Sequence, residues 1–263
     1  MQITGYKWVN WEPFFNLKDG KDFGRMRLFD ENVSINLGKK FCVGFFKDGK
    51  HHPCPDNREI RHGWNCDDCR VNDDFFQCIR CSGECINPKK RSECEKNNYY
   101  IYLAAFDSLL KVGISYEHRI LERLVEQGAD FGAKIAFIRD GREARSVEQK
   151  IKNNLTIADR ILGSEKHKTL FGNPNVATEN ITKALVSLKE KKFDLIKPEI
   201  YDMRRFYRLQ NVLSDPENIS VCDGISISGR VVAAKGNLLV LRNNGSFFSV
   251  NAHDIIGREI QSI

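Results

Sequence analysis

Seven of the nine cysteines lie between Cys54 and Cys94, in a stretch with few apolar residues. Residues 51–98 therefore cannot pack a core of their own and need a cross-link. The N-terminal residues, Met1 to Pro13, show no charged start followed by an apolar run, so no secretory signal is read there. Without export, clustered thiols point to metal rather than to disulfides. Cys66-x2-Cys69 and Cys78-x2-Cys81 have the spacing that lets both thiolates of a turn reach one tetrahedral ion at about 2.3 Å. Cys54, Cys85 and Cys94, with one of His51, His52 or His62, bring the set to eight ligands, which suits two zinc ions. The simplest pairing puts Cys66, Cys69, Cys78 and Cys81 on one ion. Cys54, Cys85, Cys94 and a histidine, taken as His52, then hold the other. Interleaved pairings are equally open, and a single ion with spare thiols is the fallback. Thiolate-saturated sites are closed, so a structural role is expected, with the metal supplying folding energy that the missing core does not. Cys42, inside the apolar run Phe41–Phe46, reads as a small buried hydrophobe.

Around this segment the patterns change. Residues 1–50 look β-rich, with Met26–Phe29, Val33–Leu37 and Phe41–Phe46 as strands. Residues 99–175 form a central unit: Tyr99–Phe106 and Leu109–Ser115 read as a hairpin, and Glu117–Ala129 as a helix. Ala133–Ile138 follows as a strand, and Arg142–Leu155 as a second helix. Ser115 is the expected cap of the first helix and Gly128 its expected stop. His167–Pro174 reads as a loop or short strand closing the sheet. Residues 176–217 read as a helical connector, with Thr178 or Asn180 as cap. Its basic end is followed by Arg204–Arg208, which interleaves cations with aromatics. That run reads as a helix surface over a core, or as a base-stacking strip. Residues 218–263 return to hairpins, with turns at Lys235-Gly236 and Asn243–Gly245.

The order strand, strand, helix, strand, helix, with Tyr100-Ile101-Tyr102 on the first strand and Lys111-Val112-Gly113 on the second, resembles the GIY-YIG nuclease superfamily in its T5orf172-like branch. The fold class expected is thus α+β: a GIY-YIG-like three-stranded sheet with flanking helices, a zinc module, and β-rich ends that are candidates for one shared β-barrel. The resemblance implies a metal-dependent phosphodiesterase site. Glu148 would hold Mg²⁺ or Mn²⁺, Arg119 or Arg123 would clamp the phosphate, and Tyr102 would line the site, with Tyr100 and Tyr116 in reserve. Lys111 stands where the second motif has a Tyr. A lysine near pKa 10 is a poor base unless desolvated or crowded by cations, so water orientation or phosphate binding is its expected role. From the residues alone, Arg119 and Arg123 read as a solvated face paired with nearby glutamates. Glu148 likewise reads as an ion pair with Lys152.

End to end the chain is similar to the DUF2797 proteins, a prokaryotic family. The matching stretches are Phe41–Phe45, His52–Pro55, Cys78–Cys85, Tyr102–Phe106, Lys111–Ser115, Glu126–Ala129 and Ala234–Leu241. That likeness implies the architecture but no activity.

The charge balance of +6 permits a nucleic-acid partner. No apolar run approaches the roughly 20 residues a membrane helix needs, so a cytoplasmic protein without membrane contact is expected. Three readings follow: a metal-dependent nuclease acting on DNA or RNA, a non-catalytic nucleic-acid binder with RNA (tRNA or ribosome) favoured, and a zinc-stapled protein-interaction scaffold.

Overall fold

A computed structural model describes residues 1–79, 81–85, 87–157 and 167–261. Contacts divide the chain into two units, Met1–Phe76 with Tyr207–Ile263, and Gln77–Phe206. The cysteine-rich segment 51–98 does not stand by itself. Its first part belongs to the former unit and the rest to the latter.

The first unit is built on a nine-stranded sheet to which both ends of the chain contribute. With strands numbered along the whole chain, β1 (Gln2–Val9), β2 (Glu12–Asp19), β3 (Asp22–Arg27) and β4 (Asn32–Lys40) come from the N-terminal part. From the C-terminal part come β11 (Glu217–Ile219), β12 (Ser226–Lys235), β13 (Leu238–Asn243), β14 (Ser246–Asn251) and β15 (Arg258–Gln261). The order is β11-β14-β13-β12-β4-β15-β1-β2-β3, so β15 lies between β4 and β1. Period-2 patterning sets the faces: Val33, Ile35 and Leu37 of β4 are buried while Asn32 and Ser34 are exposed. Trp8 and Tyr6 both donate to the Gly236 carbonyl, at 2.8 and 2.6 Å, and tie β1 to the β12–β13 turn. The Trp8 ring then meets Phe29 and Tyr207 edge-on. The expected C-terminal hairpins form, and Asn244 and Gly245, both at positive φ, make the second turn.

Two N-terminal expectations need correction. β3 ends at Arg27, leaving Leu28 and Phe29 as buried residues beyond the strand. The run Phe41–Phe46 is not one strand. Phe45–Lys47 (β5) pairs with β6 (Lys50–His52), Phe41 makes an isolated bridge to Glu59, and the chain between them bends around Cys42.

In the second unit, β7 (Asn98–Phe106), β8 (Leu109–Tyr116) and β9 (Phe131–Arg139) are joined by a fourth strand, β10 (Glu199–Asp202). The antiparallel order is β10-β9-β7-β8. β10 takes the edge that His167–Pro174 was expected to close; residues 158–166 of that region lie outside the described residues. The connector's α-helix spans Pro174–Glu190, with 3-10 turns at Arg204–Phe206 and Leu209–Asn211. Ala177, Ile181, Ala184 and Leu188 of that helix, at helical spacing, pack with Ile151 on Ile101, Leu103, Ala133 and Ile135.

Helix α4 (Ile120–Gln127) covers Gly132, which alternation turns away from Ala133 and Ile135. A Cβ on Gly132 would come within 2.3 Å of Leu124. Gly128 ends α4 at φ 77°, as the sequence suggests. Ser115 does not cap it. A 3-10 turn, Glu117–Arg119, intervenes, and the Ser115 hydroxyl donates to the Tyr116 carbonyl. Helix α5 (Gly141–Leu155) is capped by Asp140, and Pro174–Glu190 by Asn173 rather than Thr178 or Asn180. Arg204 and Arg205 lie over Phe131 and Phe206, so they cover the unit's own rings rather than offering a stacking strip. Among the described residues no helix is long and apolar enough to cross a membrane.

Gly132→Ala is expected to cost about 1–3 kcal/mol by overpacking, read by urea denaturation. In a Leu124→Ala background the same change should cost less, because the new methyl finds the vacated space. An additive cycle would mean that the two positions do not meet.

Candidate metal centre and cationic cavity

Cys42, Cys54, Cys66 and Cys69 bring four buried sulfurs within 4.8 Å of one another. All four are free thiols. Cys54 and Cys66 are 3.9 Å apart, far from the roughly 2.05 Å of a disulfide. Four sulfurs about 2.3 Å from a shared ion would stand about 3.8 Å apart at tetrahedral angles, so the spacing fits a thiolate-bound metal.

The local sequence explains the shape. Cys42 follows β4, and Gly44, two residues on, has φ 91° with room for no side chain, since a Cβ would lie 2.0 Å from the His52 carbonyl oxygen. That bend aims the Gly44 N–H at the Cys42 Sγ (3.4 Å), and the Cys66 N–H joins it at 3.2 Å. Cys66 caps helix α1 (Asp67–Asn72), which carries Cys69 one turn on. Burial pushes the Cys42 and Cys69 thiols up. Burial is the largest influence on Cys54 and acts the same way, but hydrogen bonds from the Arg58 and Asp56 backbone N–H groups and from Cys42 and Cys69 together bring that thiol down.

Three sequence readings change here. Cys42 is a member of this group rather than a lone hydrophobe. Cys66 and Cys69 group with Cys42 and Cys54, not with Cys78 and Cys81. His52 is exposed and stacks on Phe45, outside the group, while His51 bonds the Val43 carbonyl. The overlooked signal was Gly44 two residues after Cys42, whose positive φ turns its N–H toward that sulfur.

Cys78, Cys81, Cys85 and Cys94 form a second, looser quartet in the other unit. Cys78 lies on the one-turn helix α2 (Phe76–Ile79) and Cys94 on helix α3 (Pro88–Lys96). All four sulfur-bearing residues line one cavity of about 240 Å³. Among the described residues, only the Cys42 group has every sulfur within 4.8 Å of the others.

The remaining wall of this cavity is cationic. Lys90, Arg91, Arg119, Arg123, Arg142 and Arg145 line it, with Tyr99 and Tyr116, and no Asp or Glu is among its described lining residues. The balancing carboxylates sit behind the wall. Asp140 takes two bonds from Arg91 (2.5 and 2.7 Å), and Glu126 pairs with Arg119 (2.7 Å) and Arg123 (3.2 Å). Such partly exposed pairs are worth about 0–1 kcal/mol, so these guanidinium groups can be shared with an incoming anion at small cost. Arg119 and Arg123 thus pair with glutamates as the residues alone suggest, and also face the cavity.

Beneath them, Tyr102 is 1% exposed and Glu148 is 3% exposed. The Arg123 guanidinium hydrogen-bonds the Tyr102 phenol, with Glu148 and Arg145 close enough to act on it. Gly113, paired across from Tyr102, leaves the space this phenol fills: a Cβ there would lie 2.5 Å from the hydroxyl oxygen. Burial raises the Tyr102 pKa, with Glu148 adding to it and Arg123 opposing, so the side chain is a neutral phenol at neutral pH. Burial raises Tyr116 as well.

Glu148 pairs with Arg145 at 2.8 Å, one turn before it, rather than with Lys152. Lys111 bonds Gln127 of α4 at 2.8 Å and does not line the cavity. Tyr100 meets Phe137 at a tilt of 59°, with Lys134 over the Tyr100 ring. Sequence reasoning missed Tyr99, Arg91, Arg142 and Arg145. Arg145 stands three residues before Glu148, and Arg142 three before Arg145, a spacing that makes each a neighbour of the next on the helix surface.

A mixed α+β protein with a buried four-cysteine cluster at metal-ligand spacing is thereby defined. The chain belongs to the family described as "Protein of unknown function (DUF2797)", whose model matches residues 32–260. No match was found among curated proteins or among solved structures.

Cys42→Ser is expected to lower the metal content by one ion per chain in native mass spectrometry, while His52→Ala leaves it unchanged. Full metal content in Cys42→Ser would remove that sulfur from the centre.

Proposed function

We propose that this protein binds nucleic acid, with the arginine- and tyrosine-lined cavity receiving the phosphate backbone and both cysteine quartets holding structural zinc. One observation carries the reading: six cations and two tyrosines line a single cavity whose described lining residues include no carboxylate. Guanidinium forks suit phosphate oxygens, and Tyr99 and Tyr116 offer faces on which bases stack. RNA is favoured, because structured or single-stranded RNA presents unstacked bases beside phosphate.

Zinc suits the Cys42 group by ligand softness and sulfur spacing. Structural zinc contributes an apparent 10–16 kcal/mol or so in small domains, against roughly 5–15 kcal/mol for the stability of a whole domain. Each ion therefore decides whether its segment folds.

The layout of β7, β8, α4, β9 and α5 agrees with the GIY-YIG-like reading. A second reading, cleavage by the same cavity, is favoured by Tyr102, Gly113, Arg123 and Glu148 meeting around one phenol. As the side chains stand, they do not fit a hard divalent cation. Glu148 is buried and holds the Arg145 guanidinium where such an ion would need to be. Tyr102 is a neutral phenol and Lys111 is engaged elsewhere, so neither serves as base. Binding is therefore the primary reading.

Fluorescence anisotropy with labelled single-stranded RNA and DNA across a salt series tests it. Affinity should fall with salt, and Arg123→Ala and Arg145→Ala should each flatten the log–log slope by about 0.7. Glu148→Ala should leave binding in place. A protein that retains neither probe at low salt does not bind nucleic acid. Cleavage predicts product with Mg²⁺ or Mn²⁺ that Glu148→Ala abolishes; its absence with both ions leaves a non-catalytic binder.

A further inference from the structure

The second quartet is fastened to the helix that supplies two of the cavity's arginines. Gly83, between Cys81 and Cys85, packs so closely on α5 that a Cβ would lie 3.3 Å from Ser146 Cα. The Gly83 carbonyl accepts from Arg142 Nε at 3.0 Å. Helix α3, which carries Cys94, reaches the cap of α5 through the paired Arg91–Asp140 bonds. Tyr99 hydrogen-bonds Cys94 and lies against Gly141, the first residue of α5. Neither α2 nor α3 buries any residue. Among the described residues of these two helices no apolar side chain is fully buried, and the bonds that fasten the segment to α5 are polar.

We propose that an ion of the zinc class at Cys78, Cys81, Cys85 and Cys94 acts as a control element for the cavity. When bound, it holds the loop and α3 against the first turns of α5, so that Arg142 and Arg145 face the incoming anion. When it is lost, that wall loosens and anion affinity falls. The identity of the anion rests on the nucleic-acid reading; the coupling of ion to helix does not.

Charge alone predicts the opposite sign. A doubly positive ion held by four thiolates carries two net negative charges, and replacing it with neutral thiols would make the cavity more attractive to anions. The direction of the change therefore separates positioning from electrostatics.

The test compares full-length wild type, Cys85→Ser and, as control for the other centre, Cys42→Ser. Native mass spectrometry counts zinc, hydrogen exchange follows Gly141–Glu148, and anisotropy with a single-stranded RNA probe gives affinity. Cys85→Ser should hold one zinc fewer, exchange faster across Gly141–Arg145, and bind about tenfold more weakly, the worth of one or two phosphate contacts. Cys42→Ser should leave exchange in α5 unchanged. Should Cys85→Ser fail to fold by circular dichroism, graded chelation of the wild type replaces it. The more exposed quartet should release its ion first, with the same change in α5. Unchanged exchange in α5 after loss of that ion, tighter RNA binding, or a wild type carrying only one zinc would overturn the proposal. If the wild type binds no probe, the nucleic-acid reading falls and the exchange result alone decides the coupling.

Discussion

Sulfurs crowded as closely as those of Cys42, Cys54, Cys66 and Cys69 cannot all be thiolates unless a cation lies among them. Burial already pushes two of these thiols toward the neutral form. Lone thiols in contact would give little attraction to set against the entropy of ordering the loops that carry them. The chain from the end of β4 to α1 is thus organised around these four sulfurs, with Phe45 and Ile60 packed against them. Gly44 is the position where this constraint reaches the backbone.

The cavity of the second unit follows a different logic. Arg91, Arg119, Arg123 and Arg145 each pair with a carboxylate outside the cavity's described lining, and Arg142 with the Gly83 carbonyl, which fixes the direction of each guanidinium without cancelling what it offers to the cavity. Glu148 is the deepest of these partners, buried and paired with Arg145. The same acid that a nuclease-like motif would devote to a cation here steadies Arg145. Whether that pair opens on contact with a phosphodiester is the difference between the two readings of the site.

The central unit was readable in advance because its periods change cleanly. β7 and β8 are dense in Tyr, Ile, Leu and Val, and Gly128 falls where α4 must stop. The α4 start was missed because a 3-10 turn replaces a side-chain cap, a choice local composition does not record. β10 was missed because Glu199–Asp202 has little strand character; it is a strand only because β9 has a free edge to offer. Of the candidate site, Tyr102, Arg119, Arg123 and Glu148 were legible from motif order. The cavity's other arginines were not, since an Arg on a helix is ordinarily just surface. The cysteine grouping failed for a geometric reason. Spacing identifies pairs, but which pairs share an ion is set by how β4 and α1 are brought together in the first unit, far apart in sequence.

The interleaving of β15 between β4 and β1 has a temporal side. The Gln2 side chain donates to the Gly257 carbonyl, so a strand emerging early from the ribosome must wait for one made some 255 residues later. The intervening unit, continuous from Gln77 to Phe206, can complete its own sheet meanwhile. During that interval β1 and β4 both lack the partner that will later lie between them, and their unpaired backbone groups are open to other strands. Speed of synthesis and the company of chaperones bear on this fold more heavily than its modest size would suggest.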